Sequence, residues 1–215
     1  MTKSFEFAQE VRDSTLKSPK QLTEPSDTPE VRELFVNISK LYYVAKGFSG
    51  TVVRSVGTKY ATETSFFTGS GAAKTGGRWN RVGIEAVYAS LDVMTATQEA
   101  YQNFIVYGLP LSGIRPRVTA GADVSLVKVL DLTDASVRRK LGFSREDLVD
   151  EDWRAIQAAG EESWTQAIGR GCYLAGFEGI LVPSARNLKG KNIVVFPKNL
   201  SKSSKLRMIA ADELK

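Results

Sequence analysis

Four short apolar runs limit the folds open to this chain. GTVVRSV (50–56), EAVYAS (85–90), FEGILVPS (177–184) and NIVVFP (192–197) read as strands, and helical periodicity lies between them. Two further strands are expected near Ile114–Thr119 and Ser125–Leu130. DVMTATQEAYQNFIVYG reads as a helix capped by Asp92. TDASVRRKLGF and the segment from Ser144 to Gly176 read as helices with a break, and TGSGAAKTGG as a loop of small residues. Helices inserted between strands of a mixed sheet make an α+β fold.

The N-terminal part has a different character. A helix is expected over Phe5–Leu16, followed by the proline-rich linker KSPKQLTEPSDTPE. A second helix starts after Thr28, with Val31, Leu34, Phe35, Ile38, Leu41 and Tyr42 on its apolar face, and should pack on the main body. The predicted organisation is an extension over 1–48 and a main domain over 49–215. A chain of 215 residues can bury a sizeable core.

Composition then narrows the chemistry. The sequence contains no histidine and one cysteine, Cys172. That removes a serine–histidine triad, a histidine base and most zinc or iron sites, and it removes any internal disulfide. No run approaches the roughly eighteen apolar residues of a membrane span, and the N-terminus lacks a signal-peptide centre. A cytoplasmic protein with no membrane partner is expected. The net charge of +5 is concentrated between Gly179 and Ala211, where no acid occurs. Arg186, Lys189, Lys191, Lys198, Lys202, Lys205 and Arg207 suit a solvated face, a phosphorylated ligand or an acidic partner. Direct nucleic-acid binding is not expected, because Phe196 alone would offer a stacking surface there.

One stretch concentrates functional side chains: GGRWNRVGIEAVYAS, residues 76–90. Gly76 and Gly77 let a ligand approach the backbone. Arg78 brings a planar cation suited to phosphate. Tyr88 brings a flat ring on a strand. Glu99 follows on the next helix, beside an apolar stripe of Ala96, Ala100 and Phe104 that would partly bury it. Arg54 interrupts an apolar strand, and Ser184 ends another. Each residue also has an ordinary role: a turn for the glycines, core for Trp79 and Tyr88, solvent for Glu99 and Arg54, a cap for Ser184.

GGRWN, VYAS, a glutamate eleven residues after the tyrosine, and VPSAR followed by NIVVFP together resemble the RES-domain toxins of bacterial toxin–antitoxin pairs. The resemblance runs from about Val53 to Pro197. It implies a small split mixed β-core with surrounding helices, similar to the ADP-ribosyltransferase and diphtheria-toxin-like fold. It implies NAD+ as substrate, no metal, and cleavage of the nicotinamide–ribose bond with water or inorganic phosphate as acceptor. It also implies a cognate antitoxin, often carrying a DNA-binding domain. Carried over, Arg54 and Arg78 would grip the diphosphate and Tyr88 would bound the nicotinamide. Glu99 would stabilise the ribosyl cation, Ser184 would orient Glu99 or the ribose, and Asn192 would line the cleft, with Asn80 a weaker candidate. Such chemistry passes through an oxocarbenium-like state and a neutral leaving group, so it suits a chain without histidine. Two other readings stay open. One is an ADP-ribosyltransferase acting on a macromolecule, although Thr97 stands where transferases to arginine carry a second acid. The other is a non-catalytic nucleotide- or partner-binding module.

Overall fold

A computed structural model describes residues 23–106 and 117–209, with side chains described through residue 101 in the first span. The helix expected over Phe5–Leu16 and the side chain of Phe104 lie outside these residues. Six strands are present among them: β1 (Lys46–Gly57), β2 (Val87–Ser90), β3 (Arg117–Asp131), β4 (Gly179–Pro183), β5 (Lys191–Val195) and β6 (Lys205–Met208). The helices are α1 (Pro29–Leu41), α2 (Glu63–Phe66), α3 (Ser70–Thr75), α4 (Val93–Val106), α5 (Ala135–Leu141), α6 (Arg145–Asp150), α7 (Trp153–Ala158) and α8 (Trp164–Leu174). None of the described helices is long and apolar enough to cross a membrane.

The fold is mixed α+β, as the runs implied, but the sheet is not split. It runs β1-β2-β5-β4-β3, and β3 returns to pair with β1, so five strands close on themselves. Closure removes edges that would otherwise be exposed. β4 joins β3 in parallel, the other pairings are antiparallel, and β6 adds to β3 through Ala122↔Met208 to Ser125↔Lys205.

Four local expectations need correction. The two strands predicted near Ile114–Thr119 and Ser125–Leu130 are one continuous strand across the described part. The small residues of RVTAGADV form part of it: Ala120, Ala122, Val124 and Leu126 keep a period of two and are all buried. Pairing with β1 from Gly57↔Arg117 to Lys46↔Val129 holds the segment extended. β6 was not anticipated, because KLRM alternates over four residues only, and it extends by pairing on β3. TGSGAAKTGG contains the short helix α3 rather than only a loop. Finally, β1 begins at Lys46, so the boundary drawn between 48 and 49 falls inside a strand.

Two apolar clusters hold these elements. One face of the strands contributes Val52, Val56, Val87, Ala89, Ala122, Val124 and Ile193 to the first. The second joins Ile180, Val182 and Val194 to Leu34, Phe35 and Ile38 of α1, Ile168 and Cys172 of α8, and Trp79. The α1 helix forms because Thr28 caps it and Pro29 occupies its first turn, and its buried stripe packs into this second cluster, as expected.

Candidate functional site

The residues 76–80 form a tight turn between α3 and the loop leading to β2. Gly76 ends α3 at φ +72°. Gly77 and Asn80 then exchange backbone hydrogen bonds, Gly77 N to Asn80 O at 2.8 Å and Asn80 N to Gly77 O at 3.3 Å. Asn80 is fully buried, and its side chain staples the turn. Nδ2 donates to Ala72 O, Arg81 O and Ile84 O at 3.0–3.1 Å, and Oδ1 accepts from Tyr88 Oη at 2.7 Å. Tyr88 Oη in turn accepts from Trp79 N at 2.9 Å. With its hydroxyl committed, Tyr88 offers the cleft a ring, and burial pushes its phenol well above the usual range. Asn80, the weakest of the expected ligand contacts, therefore works inside the protein. A Cβ at Gly77 would lie 2.6 Å from Tyr88 Oη, so only glycine fits there.

Arg78 is placed by this turn. Its Nη1 donates to the carbonyls of Leu148 and Glu151 at 2.9 and 3.0 Å. Burial lowers its pKa, Arg186 and Arg154 nearby act in the same direction, and Glu151 and Glu99 oppose it. The Glu151 carboxylate is engaged elsewhere, accepting from Trp164 N and Thr165 N at 2.7 and 2.9 Å and so capping α8.

Glu99 stands in the second turn of α4, which Asp92 caps as expected by accepting from Thr95 N at 2.7 Å. Its Oε1 accepts two hydrogen bonds, from Ser184 Oγ at 2.7 Å and from Asn192 Nδ2 at 2.8 Å. Oε2 has no protein partner among the described residues. Both donors have their orientation fixed. Ser184 Oγ accepts the backbone N–H groups of Arg186 and Asn187, each at 3.0 Å, so its own hydrogen is left to point at Glu99. Asn192 Oδ1 accepts from Ser90 Oγ at 2.7 Å, which turns its amide nitrogen towards the carboxylate.

Arg54, on β1, donates through Nη1 to Phe66 O, and its guanidinium lies 5.4 Å from the centre of the Phe66 ring. Burial and the neighbouring Arg117 pull its pKa down to about 10, so it is still a cation at neutral pH.

These residues meet at one cleft of about 470 Å³. Arg54, Arg78, Tyr88, Glu99 and Asn192 line it, while Ser184 sits behind Glu99, 1% exposed. Among the charged and aromatic lining residues described, four were not singled out as site residues: Arg117, Trp153, Arg154 and Arg186. Only Arg186 had a signal, its place in the basic tract beside Ser184. Among the described residues the cleft thus carries five arginines against one carboxylate. The arginines fall into two groups: Arg117, bonded to Ser55, stands beside Arg54 on the strands, and Arg154 and Arg186 lie near Arg78. Low-dielectric walls of one sign concentrate anions, and two groups can hold two of them.

The chain is similar to several known proteins. NAD(+) phosphorylase MbcT of Mycobacterium tuberculosis (strain ATCC 25618 / H37Rv) is 29% identical over 122 residues, 55% of this chain and 60% of that protein. Probable NAD(+) phosphorylase Rv3189 of the same strain is 32% identical over 121 residues, 56% of this chain and 53% of that protein. The chain spans a little over half the length of these curated relatives. The solved structure of the M. tuberculosis MbcT–MbcA toxin–antitoxin complex contains a chain with the same fold, at a TM-score of 0.63 and 21% identity, covering 84% of this chain and 96% of that one. The family model described as the RES domain matches residues 51–213, which takes in the whole cleft. The chain belongs to the RES domain family.

Proposed function

We propose that this chain is an NAD+-degrading enzyme that breaks the nicotinamide–ribose bond, and that it is the toxin of a toxin–antitoxin pair. The observation that carries the reading is Glu99, held on one oxygen by Ser184 and Asn192 in a cleft otherwise lined with arginine. Bond breaking leaves positive charge on the ribose, and the electron pair departs to the nicotinamide nitrogen and neutralises it. A carboxylate beside the ribose stabilises that state, and a pre-oriented one costs no rearrangement when charge develops. Arg78 would grip the diphosphate, Arg54 would hold a second anion or share that task, and Tyr88 would bound the nicotinamide.

Inorganic phosphate is the acceptor we favour. The relatives are named NAD(+) phosphorylases, and the cleft has a second arginine group to receive another anion. A phosphate oxygen would then bond to the ribose carbon that nicotinamide leaves. The fold neighbour was solved as a toxin–antitoxin complex, which supports a protein partner that restrains the activity. Consuming the cell's NAD+ would place the enzyme in the cytoplasm, and likeness to the ADP-ribosyltransferase fold belongs to the same reading.

The test is NAD+ consumption by purified, partner-free protein with and without inorganic phosphate, with products resolved by mass spectrometry. Nicotinamide with ADP-ribose-1″-phosphate is the expected result. Nicotinamide with ADP-ribose would replace phosphate by water, and intact NAD+ would overturn the proposal.

A further inference from the structure

Among the described residues, three aromatics line the cleft: Trp79, Tyr88 and Trp153. Trp79 is 3% exposed and belongs to the core. Tyr88 lies at the reacting end, two residues along β2 from Ser90, which is bonded to the Asn192 that holds Glu99. Trp153 has no such task. It is half-buried, begins α7, and lines the cleft from the helical side. The guanidinium of Arg154 lies 4.5 Å from the centre of its ring.

We infer that Trp153 is the surface on which the adenine of the dinucleotide stacks, an inference that rests on the NAD+ reading above. The charge on its neighbour decides between the two bases of NAD+. A ring that already carries one cation is a poor partner for the positively charged nicotinamide, since two cations would share one π-system. Adenine is neutral and stacks on an indole without that conflict. The neighbourhood also fits the order of groups in the substrate. Arg78 donates to the carbonyl of Glu151, two residues before Trp153, so an adenine on the indole would lie near a diphosphate held by Arg78.

Trp153 is held in place well enough to serve as a platform. Asp152 caps α7 by accepting from Ala155 N at 3.2 Å. One turn later, Gln157 Nε2 donates to Thr75 O at 3.0 Å, and Gln157 Oε1 accepts from Gln166 Nε2 at 2.7 Å. The α7 helix is therefore tied to the turn that carries Arg78. The consequence is specificity: adenylate binding by Trp153 favours the dinucleotide over nicotinamide mononucleotide.

The experiment compares wild type, Trp153→Ala and Trp153→Phe by calorimetric titration with ADP and by NAD+ kinetics, with folding checked by thermal melting. Losing the platform should weaken ADP binding roughly tenfold or more in the alanine variant and raise its KM for NAD+ by a similar factor, with kcat within about twofold. The phenylalanine variant, which keeps a stacking face, should retain most of both. A folded alanine variant that binds ADP as wild type does, or that loses kcat at unchanged KM, overturns the platform. Trp153-dependent ADP binding in a wild type that leaves NAD+ intact would support the platform while removing the proposed reaction.

Discussion

At Glu99 the structure separates charge from shape. Glutamine there can keep both hydrogen bonds through its Oε1 and carries no charge. Glu99→Gln should therefore fold as wild type and consume NAD+ on the order of a hundredfold more slowly or worse. A folded variant with the wild-type rate would remove Glu99 from the chemistry. Ser184→Ala should behave differently. It strips a donor from Glu99 and leaves the partly buried amides of Arg186 and Asn187 without their acceptor. Each such loss costs about 1–3 kcal/mol, so urea unfolding should shift to lower denaturant. The freed carboxylate should also lower kcat by roughly ten- to a hundredfold. Unchanged kcat with lowered stability would make Ser184 purely structural. That Arg78, Tyr88, Glu99 and Ser184 belong together was legible through the resemblance to RES-domain toxins, since each residue type alone also has an ordinary role. Arg117, Trp153 and Arg154 were not. They reach the cleft from segments far away in the chain, brought there by barrel closure and by short helices that have no distinctive spacing.

Among the elements, α8 and the 76–80 turn form the tightest joint. Gly169 packs directly on the turn, and a Cβ there would lie 1.9 Å from the Trp79 carbonyl oxygen. Backbone cannot rotate aside as a side chain does. Gly169→Ala should push α8 away from the turn and cost about 1–3 kcal/mol or more, with NAD+ consumption falling because Arg78 moves with the turn. Gly71→Ala is the matched control. Gly71 lies in α3 with nothing within 4 Å of its added Cβ, and the substitution should be neutral or stabilise by about 0.5–1 kcal/mol. Urea midpoints of the two variants, read beside kcat, check both statements, and equal midpoints would refute the joint. No sequence pattern marks Gly169, since WTQAIGRGCYL reads only as an apolar helix. The same limit applied to β3. Its period-two burial was written in alanines, and small side chains signal a strand weakly until a partner strand is known.

For the molecule as a whole, the decisive contact is Arg170, which is 2% exposed and ties three parts of the chain together. It meets Asp27 at 2.6 Å and Glu162 at 2.5 Å, and it stacks 4.7 Å from the centre of the Phe35 ring on α1. Glu24 extends the cluster to Arg81, one residue past the Arg78 turn. The N-terminal segment thus shares a core and an ion cluster with the body. A chain starting at residue 49 would leave Arg170 without Asp27 and take Leu34, Phe35 and Ile38 out of the second apolar cluster. It should fail to give a cooperative thermal transition; a wild-type transition would show the body folding alone. The cluster also sets an acid limit. Burial raises the Asp27 carboxyl's pKa, but hydrogen bonding to Arg170 and Glu24 N outweighs it, and the net direction is down. The same balance holds for Glu178, where burial is outweighed by hydrogen bonds from Ser204, Val127 N and Ser201. Groups depressed on folding contribute stability that is present above their unfolded pKa values, about 4, and is lost as pH falls through the folded values. Melting temperature should therefore be flat in this respect above about pH 5 and fall steeply below 4. Asp27→Asn should flatten part of that fall while lowering stability at pH 7 by about 3 kcal/mol, because a buried cation loses one of its two close carboxylates. An acid limb identical in wild type and Asp27→Asn would show that this contact does not set it.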